Sequence, residues 1–403
     1  MDSKRRFWLA CAAGVAMLSM TSASAQKKYD IGSSDTEIRI GTTQPLSGPA
    51  SSYAGLGKAM AAYFQMINDR GGINGRKVNF IMYDDGYAPP VTVDMTRKLV
   101  ERDEVLFTLG ALGTPTQLAV QTYMNQRKIP QLFVAAPAGK LADAAKFPWT
   151  INYAPVYETE GAAYAAHLLA TKPKARIAVL YQDDDAGKAI RKGFIERLAR
   201  DGVKPAIEQT YSVTDPTIDS QIIAMQGSGA DAVAMFTIPR MTAMALRKIG
   251  ALGWKPQTYV SNAGSSIKNA LEPAGVDNAI GLLTSDARKR LTDARWNDDP
   301  EINAYRDFHA KYLPGVSIAD ENYQTGYDLA NAATQVLKMA GDDLTRANLM
   351  RIVQTLHGFR TPFLLPGITF NVTPQDYFGF KQLQIVRFDG KAFAPIGSLV
   401  DTR

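Results

Sequence analysis

The sequence predicts an α/β protein of two doubly wound, Rossmann-like lobes. Three observations carry that expectation. Short β-branched runs alternate with amphipathic stretches, which is the pattern of βαβ units around a largely parallel sheet. The alternation occurs in two successive series. Finally, about 378 residues follow an N-terminal leader, a length that suits roughly two domains.

The leader comes first. Lys4, Arg5 and Arg6 precede an apolar run from Phe7 to Met20, and Ala23-Ser24-Ala25 follows. Basic start, apolar middle and small-residue cleavage site describe a secretory signal peptide over residues 1–25, with Gln26 the first mature residue. The run is too short to span a bilayer. Cys11 invites a lipid-attachment reading, but Trp8 stands where that signal needs a Leu-like residue. Arg5-Arg6 is a twin-arginine pair whose following hydrophobic residues are out of register. The expectation is ordinary secretion into the periplasm.

The first series then runs strand 38–42, helix 55–69, strand 77–83, helix 91–102, strand 105–109, helix 115–126 and strand 131–134. Thr114 reads as N-cap and Pro115 as N1 of the last helix. The second series gives helix 157–169, strand 176–181, helix 187–200, strand 205–211, helix 217–226, strand 232–236, helix 241–251 and strand 258–260. Beyond residue 280 come three helices, 301–312, 323–340 and 345–356, and a late strand over 383–388. With so few strands they complete the two lobes instead of forming a third.

Composition narrows the function. The single cysteine, Cys11, lies in the leader, so the mature chain has no disulfide, redox thiol or Cys-ligated metal. Net charge is +6, and removing Asp2, Lys4, Arg5 and Arg6 leaves +4. The basic residues are dispersed, which argues against nucleic acid.

Catalytic motifs fail where their chemistry lies. Gly57-Lys58 suggests a phosphate loop, but Ser52 replaces its leading glycine and Ala59 its hydroxyl; the dinucleotide fingerprint fails at Met60. His167, His309 and His357 form no metal-ligand pair. Asp84-Asp85 ends a strand and could serve as an acid–base pair in an exported hydrolase, though a turn or cap role suits it better. Asp183–Asp185 lacks calcium-loop spacing. No cofactor, metal or catalytic residue is expected. In open α/β sheets ligands bind beyond the carboxyl ends of strands, so the loops at 44–54, 84–90, 110–114, 135–139, 182–186, 237–240 and 261–266 are the candidate site.

The segments Ile38-Arg-Ile-Gly-Thr-Thr-Gln-Pro-Leu-Ser-Gly-Pro49, Asn68-Asp-Arg-Gly-Gly-Ile-Asn-Gly-Arg-Lys-Val78 and Tyr83-Asp-Asp85 resemble the type I periplasmic binding proteins, in particular the leucine/isoleucine/valine-binding proteins of ABC importers. Gly113-Thr-Pro-Thr-Gln117, Ile129-Pro-Gln-Leu-Phe133 and Gly229-Ala-Asp-Ala-Val233 extend the resemblance over nearly the whole mature chain. It implies a three-segment hinge, an N-terminal lobe of residues 37–154 plus 284–366, and a C-terminal lobe of 155–283 plus 367–403. It also implies a monomer that delivers a small ligand to membrane permease subunits, or alternatively a sensory protein docking on a receptor.

The resemblance also nominates residues. Ser52 and Tyr53 belong to the first cleft loop, Tyr53 covering the ligand's apolar part. A ligand carboxylate would dock on Gly113–Thr116, with Thr114 or Thr116 supplying the hydroxyl. Ala135 or Ala136 would add a backbone N–H. Arg240 would suit a second carboxylate or an aromatic ring. Ala263, beside Asn262, and Tyr157 stand where amino-acid binders carry acids for the ligand's ammonium. Glu158 is a possible substitute, and Ala186 leaves extra room. The expected ligand is a carboxylate-bearing apolar solute, either a branched-chain or other neutral amino acid or an aromatic carboxylate.

Overall fold

A computed structural model describes residues 27–401; the expected leader lies outside them. The first half of the chain runs β1 (Lys28–Tyr29), β2 (Glu37–Gln44), α1 (Gly55–Asp69), β3 (Lys77–Asp84), α2 (Pro89–Arg97), β4 (Phe107–Leu109), α3 (Thr114–Gln126), β5 (Gln131–Val134) and β6 (Thr150–Asn152). The second runs α4 (Tyr157–Thr171), β7 (Ile177–Gln182), α5 (Asp185–Arg200), β8 (Ile207–Tyr211), α6 (Asp219–Gly227), β9 (Ala232–Phe236), α7 (Pro239–Ala251), β10 (Gln257–Val260), α8 (Glu272–Ala274) and β11 (Leu283–Asp286). The remainder holds α9 (Pro300–Tyr312), α10 (Glu321–Ala340), β12 (Asp343–Leu344), α11 (Arg346–Val353), β13 (Gln382–Phe388), β14 (Phe393–Pro395) and β15 (Val400–Asp401).

Two sheets follow one plan. The first has the order β3-β2-β4-β5-β6 and is parallel throughout. The second has β8-β7-β9-β10-β11, also parallel, with β13 and β14 added antiparallel at one edge. Numbered within each lobe, both cores read 2-1-3-4-5. That order puts a topological switch point beside the first strand, and the crevice beyond it is where such sheets bind ligands. Here the crevices open between the ends of β2 and β4 and between those of β7 and β9.

Side-chain alternation explains the layers. Along β7, Ala178 and Leu180 join one core while Ile177 and Val179 join another, and β9 divides likewise between Val233, Met235 and Ala232, Ala234, Phe236. A strand apolar on both faces demands helices on both sides. Burying each such aliphatic side chain contributes about 1.5–3 kcal/mol, which is how a mature chain without disulfides holds together.

The chain crosses between lobes three times: between Tyr153 and Tyr157, between Asp286 and Ala287, and between Phe380 and Gln382. The two later crossings differ from the sequence expectation. Leu283–Asp286 is a strand of the second sheet. Ile368, Phe370, Tyr377 and Phe380 lie in the first lobe's core, where Phe370 and Phe380 pack on Tyr153 at centroid distances of 4.9 and 5.1 Å. Helices α9, α10 and α11 also pack on that core.

The glycine pair near residue 57 has a packing cause. A Cβ on Gly55 would stand 2.6 Å from the Tyr323 ring, and one on Gly57 2.5 Å from the Met82 sulfur. The pair lets α1 lie close to α10 and to β3.

Candidate functional site

The two crevices face each other and close on a cavity of about 220 Å³. For scale, an engineered apolar cavity of about 150 Å³ accepts benzene. Tyr53, Leu56, Tyr87, Leu112, Tyr153, Tyr157, Ile190, Phe236 and Ile238 make the wall mostly apolar, while Thr114, Glu160, Gln182 and Asn262 add polar groups.

Contacts between the lobes hold this arrangement. The Tyr53 hydroxyl donates to the Ala263 carbonyl at 3.0 Å, and the Tyr87 hydroxyl to Asp184 Oδ2 at 3.3 Å. Lys140 pairs with Asp185 at 2.8 Å. At the other end, Ser266 Oγ donates to Glu321 Oε2 at 2.6 Å and Asn269 Nδ2 to Asp320 at 3.0 Å. Arg290 bridges Asp286 and Glu321, with Glu321 Oε1 at 3.3 Å. Burial works against the Arg290 charge, but Asp286 and Glu321 outweigh it and hold the guanidinium above its ordinary pKa.

The first-lobe wall is built around the start of α3. Gly113 is its N-cap, with φ at +108°, and Thr114 is the first helical residue, one position earlier than the sequence pattern suggests. An alanine Cβ at Gly113 would stand 2.5 Å from Thr116 Oγ1 and 2.8 Å from the Tyr87 ring, so the turn requires glycine. The first bond into the helix is Gln117 N–H to the Gly113 carbonyl at 3.0 Å. The amides of Thr114 and Thr116 therefore have no partner within the helix. Thr114 lines the cavity and is 1% exposed, and its Oγ1 has no hydrogen-bond partner among the described residues.

The nominated residues divide. Tyr53, Gly113, Thr114, Ala135, Tyr157 and Asn262 line the cavity. Ser52, Thr116, Ala136 and Arg240 do not. Ser52 offers its carbonyl to Asn322 Nδ2 at 2.9 Å, and its buried hydroxyl has no hydrogen-bond partner among the described residues. The Thr116 hydroxyl turns back to the Leu112 and Gly113 carbonyls at 2.7 and 2.8 Å, which satisfies it inside the turn. Arg240 points to the Val213 carbonyl at 3.4 Å. Ala135 reaches the wall, but its N–H is spent on the Ala111 carbonyl at 3.0 Å. Ala136 is buried beside Val134 and Leu141.

The acidic pairs are structural. Asp84 Oδ1 accepts from Leu46, Ser47 and Gly86 amides. Asp85 accepts from Tyr87 N–H and Thr92 Oγ1 at 3.0 and 2.9 Å. Asp184 caps α5 through the Ala186 and Gly187 amides at 2.9 and 3.1 Å. No cluster of three acidic, His or Cys residues suited to a metal occurs among the described residues.

Sequence reasoning passed over Tyr87 and Glu160. Glu160 lies three residues after Tyr157 and so shares its helix face, whereas Glu158 turns away to accept from Gly139 N–H at 3.1 Å. Glu160 is 4% exposed, and its Oε1 accepts from Asn262 N–H at 2.6 Å, Tyr164 hydroxyl at 2.5 Å and Ser285 Oγ at 3.3 Å. Burial pushes its carboxyl pKa up, with those three donors opposing. Burial also pushes the Tyr157 hydroxyl pKa well up.

Comparison with known proteins agrees with this architecture. The family model described as periplasmic binding protein matches residues 37–392. A Leu/Ile/Val-binding protein homolog 7 of Brucella abortus is 22% identical over 311 residues, covering 73% of this chain and 74% of that one. Among solved structures, a branched chain amino acid ABC transporter protein from Thermus thermophilus with bound valine superposes with a TM-score of 0.82 at 19% identity, covering 92% and 97% of the two chains. A fatty acid ABC transporter substrate-binding protein from Thermomonospora curvata gives 0.79 at 20%, covering 93% and 95%. The chain belongs to the periplasmic binding protein family, whose type I members are ligand-binding proteins and not enzymes.

Proposed function

We propose that this protein is the solute-capturing component of an ABC importer, and that it takes a small carboxylate-bearing solute with an apolar body. The observation that carries this reading is the start of α3. The Thr114 amide, without a helical partner, and the buried Thr114 hydroxyl, without a hydrogen-bond partner among the described residues, stand together on the cavity wall, at the positive end of a helix dipole. A carboxylate answers both donors. The surrounding tyrosines and aliphatic side chains suit an apolar body, of an aromatic acid or of a neutral amino acid. Valine and fatty acids, printed in the names of two structural neighbours, are both carboxylates.

Capture works by hinge closure. With the lobes apart, the donors at α3 are hydrated and the solute docks on the first lobe. Closure brings Tyr53 to Ala263 and Tyr87 to Asp184, excludes water and strengthens the carboxylate's hydrogen bonds. The closed monomer then presents both lobes to permease subunits in the membrane. The N-terminal leader would carry the chain to the periplasm. A thermal-shift screen with amino acids, aromatic acids, dicarboxylates and amides tests this. A carboxylate at 100 times its Kd raises stability by about 2.7 kcal/mol; a response to neutral amides alone overturns the reading.

A further inference from the structure

We infer that the protein has a second ligand site, at the hinge, which takes a small carboxylate with an apolar body as an effector of lobe closure. The site lies outside the cleft and does not depend on what the cleft binds. A cavity of about 240 Å³ stands beside the cleft cavity and matches it in size. The two share only Asp286, Arg288 and Arg290, so these side chains, on and just after the second crossing between the lobes, separate them. Leu365, packed on the first lobe's core, closes one side of the hinge cavity. Val386 and Phe393, from the second lobe's core, close the other, and Trp296 adds an aromatic wall.

The three arginines of this cavity are not equally committed. Arg290 is bound to Asp286 and Glu321, and its guanidinium lies 4.2 Å from the centre of the Phe393 ring. Arg295 is paired with Asp293. Arg288, half-buried, gives Nη1 to Thr325 Oγ1 at 2.6 Å and enters no ion pair among the described residues. Asp328 feels the Arg288 charge but lies beyond ion-pair distance, and its oxygens accept from Thr361 and Phe363. A guanidinium carries five N–H donors in a planar fork that matches a carboxylate. Four of those of Arg288 have no partner among the described residues. The aromatic and aliphatic walls beside it suit an apolar body better than a bare inorganic ion. Both lobes supply those walls, so the cavity's shape follows the angle between them. An occupant that fits the closed shape draws the lobes together, and by reciprocity it tightens solute binding in the cleft.

The test titrates benzoate, with benzamide as the uncharged control, into the intact protein and follows Trp296 emission; Trp296→Phe gives the background of the other tryptophans. A saturable change with benzoate and none with benzamide is expected. It should persist when the cleft is filled with the tightest-binding carboxylate of the thermal-shift screen. Arg288→Gln should weaken it at least about tenfold. Because Arg288 also borders the cleft, Leu399→Tyr, which places a ring in the hinge cavity alone, should weaken it as well. Saturating benzoate should tighten solute binding in the cleft at least about fivefold. No saturable change, or equal responses to benzoate and benzamide, overturns the inference. A response abolished by filling the cleft, or untouched by Leu399→Tyr, overturns it too and leaves the cleft reading standing. An unchanged solute Kd overturns the effector role. A cleft that binds no carboxylate overturns the cleft reading alone, since the Trp296 titration still decides the hinge site.

Discussion

Thr114→Val separates a hydroxyl kept for the ligand from one kept for the fold. Valine matches threonine in shape and replaces only Oγ1 by a methyl group. That hydroxyl has no hydrogen-bond partner among the described residues, and with the lobes apart it is hydrated, so its removal breaks no bond of the ligand-free fold. The substitution should leave ligand-free stability within about 0.5 kcal/mol of wild type. In the complex the same change removes a hydrogen bond to a charged acceptor, about 1.5–3 kcal/mol, which weakens Kd roughly tenfold to a hundredfold. Binding falls while ligand-free stability holds, a split that no general damage to the fold would produce. Urea unfolding without ligand and calorimetry with the best carboxylate from the screen read them separately. A loss of 1 kcal/mol or more in ligand-free stability (about 1, the usual worth of a satisfied hydrogen bond) would show that the hydroxyl serves the protein. An unchanged Kd would show that the carboxylate lies elsewhere.

Other expectations concern closure, the α3 turn and pH. Tyr53→Phe removes a hydrogen bond present only when the lobes are together. It should weaken binding by about 0.5–1.5 kcal/mol while ligand-free unfolding stays put, and an unchanged Kd in calorimetry would refute that. Gly113→Ala forces a side chain into φ +108° against Thr116 and Tyr87, so the urea midpoint should fall by the equivalent of about 1–3 kcal/mol or more; a wild-type midpoint would contradict the turn. Burial pushes the Asp328 carboxyl up to about 6 from 3.8, and it accepts from Thr361 Oγ1 at 2.6 Å and Phe363 N–H at 3.2 Å. The folded protein holds this proton more tightly than the unfolded chain, so stability falls as pH rises from about 4 to about 6 and then levels. Asp328→Asn cannot ionise and should gain up to about 3 kcal/mol on wild type between pH 4 and pH 8; parallel pH profiles would refute the shift.

Much of the fold could be read from the chain because its helices and inner strands are long and periodic. The bounds of α1, β5 and β9 coincide with the sequence reading. What escaped is short or polar. Thr150–Asn152 and Leu283–Asp286 are strands of three and four residues rich in Thr, Ser and Asn, held by sheet neighbours and not by their own pattern. Residues 368–380 follow the last long helix and precede a second-lobe strand, yet Phe370 and Phe380 are claimed by Tyr153 across more than two hundred residues. Such long-range aromatic packing leaves no local signal.

The site shows the same division. Backbone geometry at Gly113 and the cleft position of Tyr53 follow from the strand–loop–helix pattern and the resemblance. Side-chain direction does not. Nothing local says that the Thr116 hydroxyl turns inward to Leu112 while Thr114 stays free. Glu160 was within reach, since helix period pairs it with Tyr157, but attention to Glu158 ignored the rotation of about 100° per residue.

The central claim is that the cavity holds a carboxylate at the start of α3. Calorimetry of the tightest-binding carboxylate against its primary amide tests it most directly, because only the anion is changed. The account predicts that the acid binds and that the amide loses about 2 kcal/mol or more, roughly 30-fold in Kd. Equal affinity of acid and amide would contradict it.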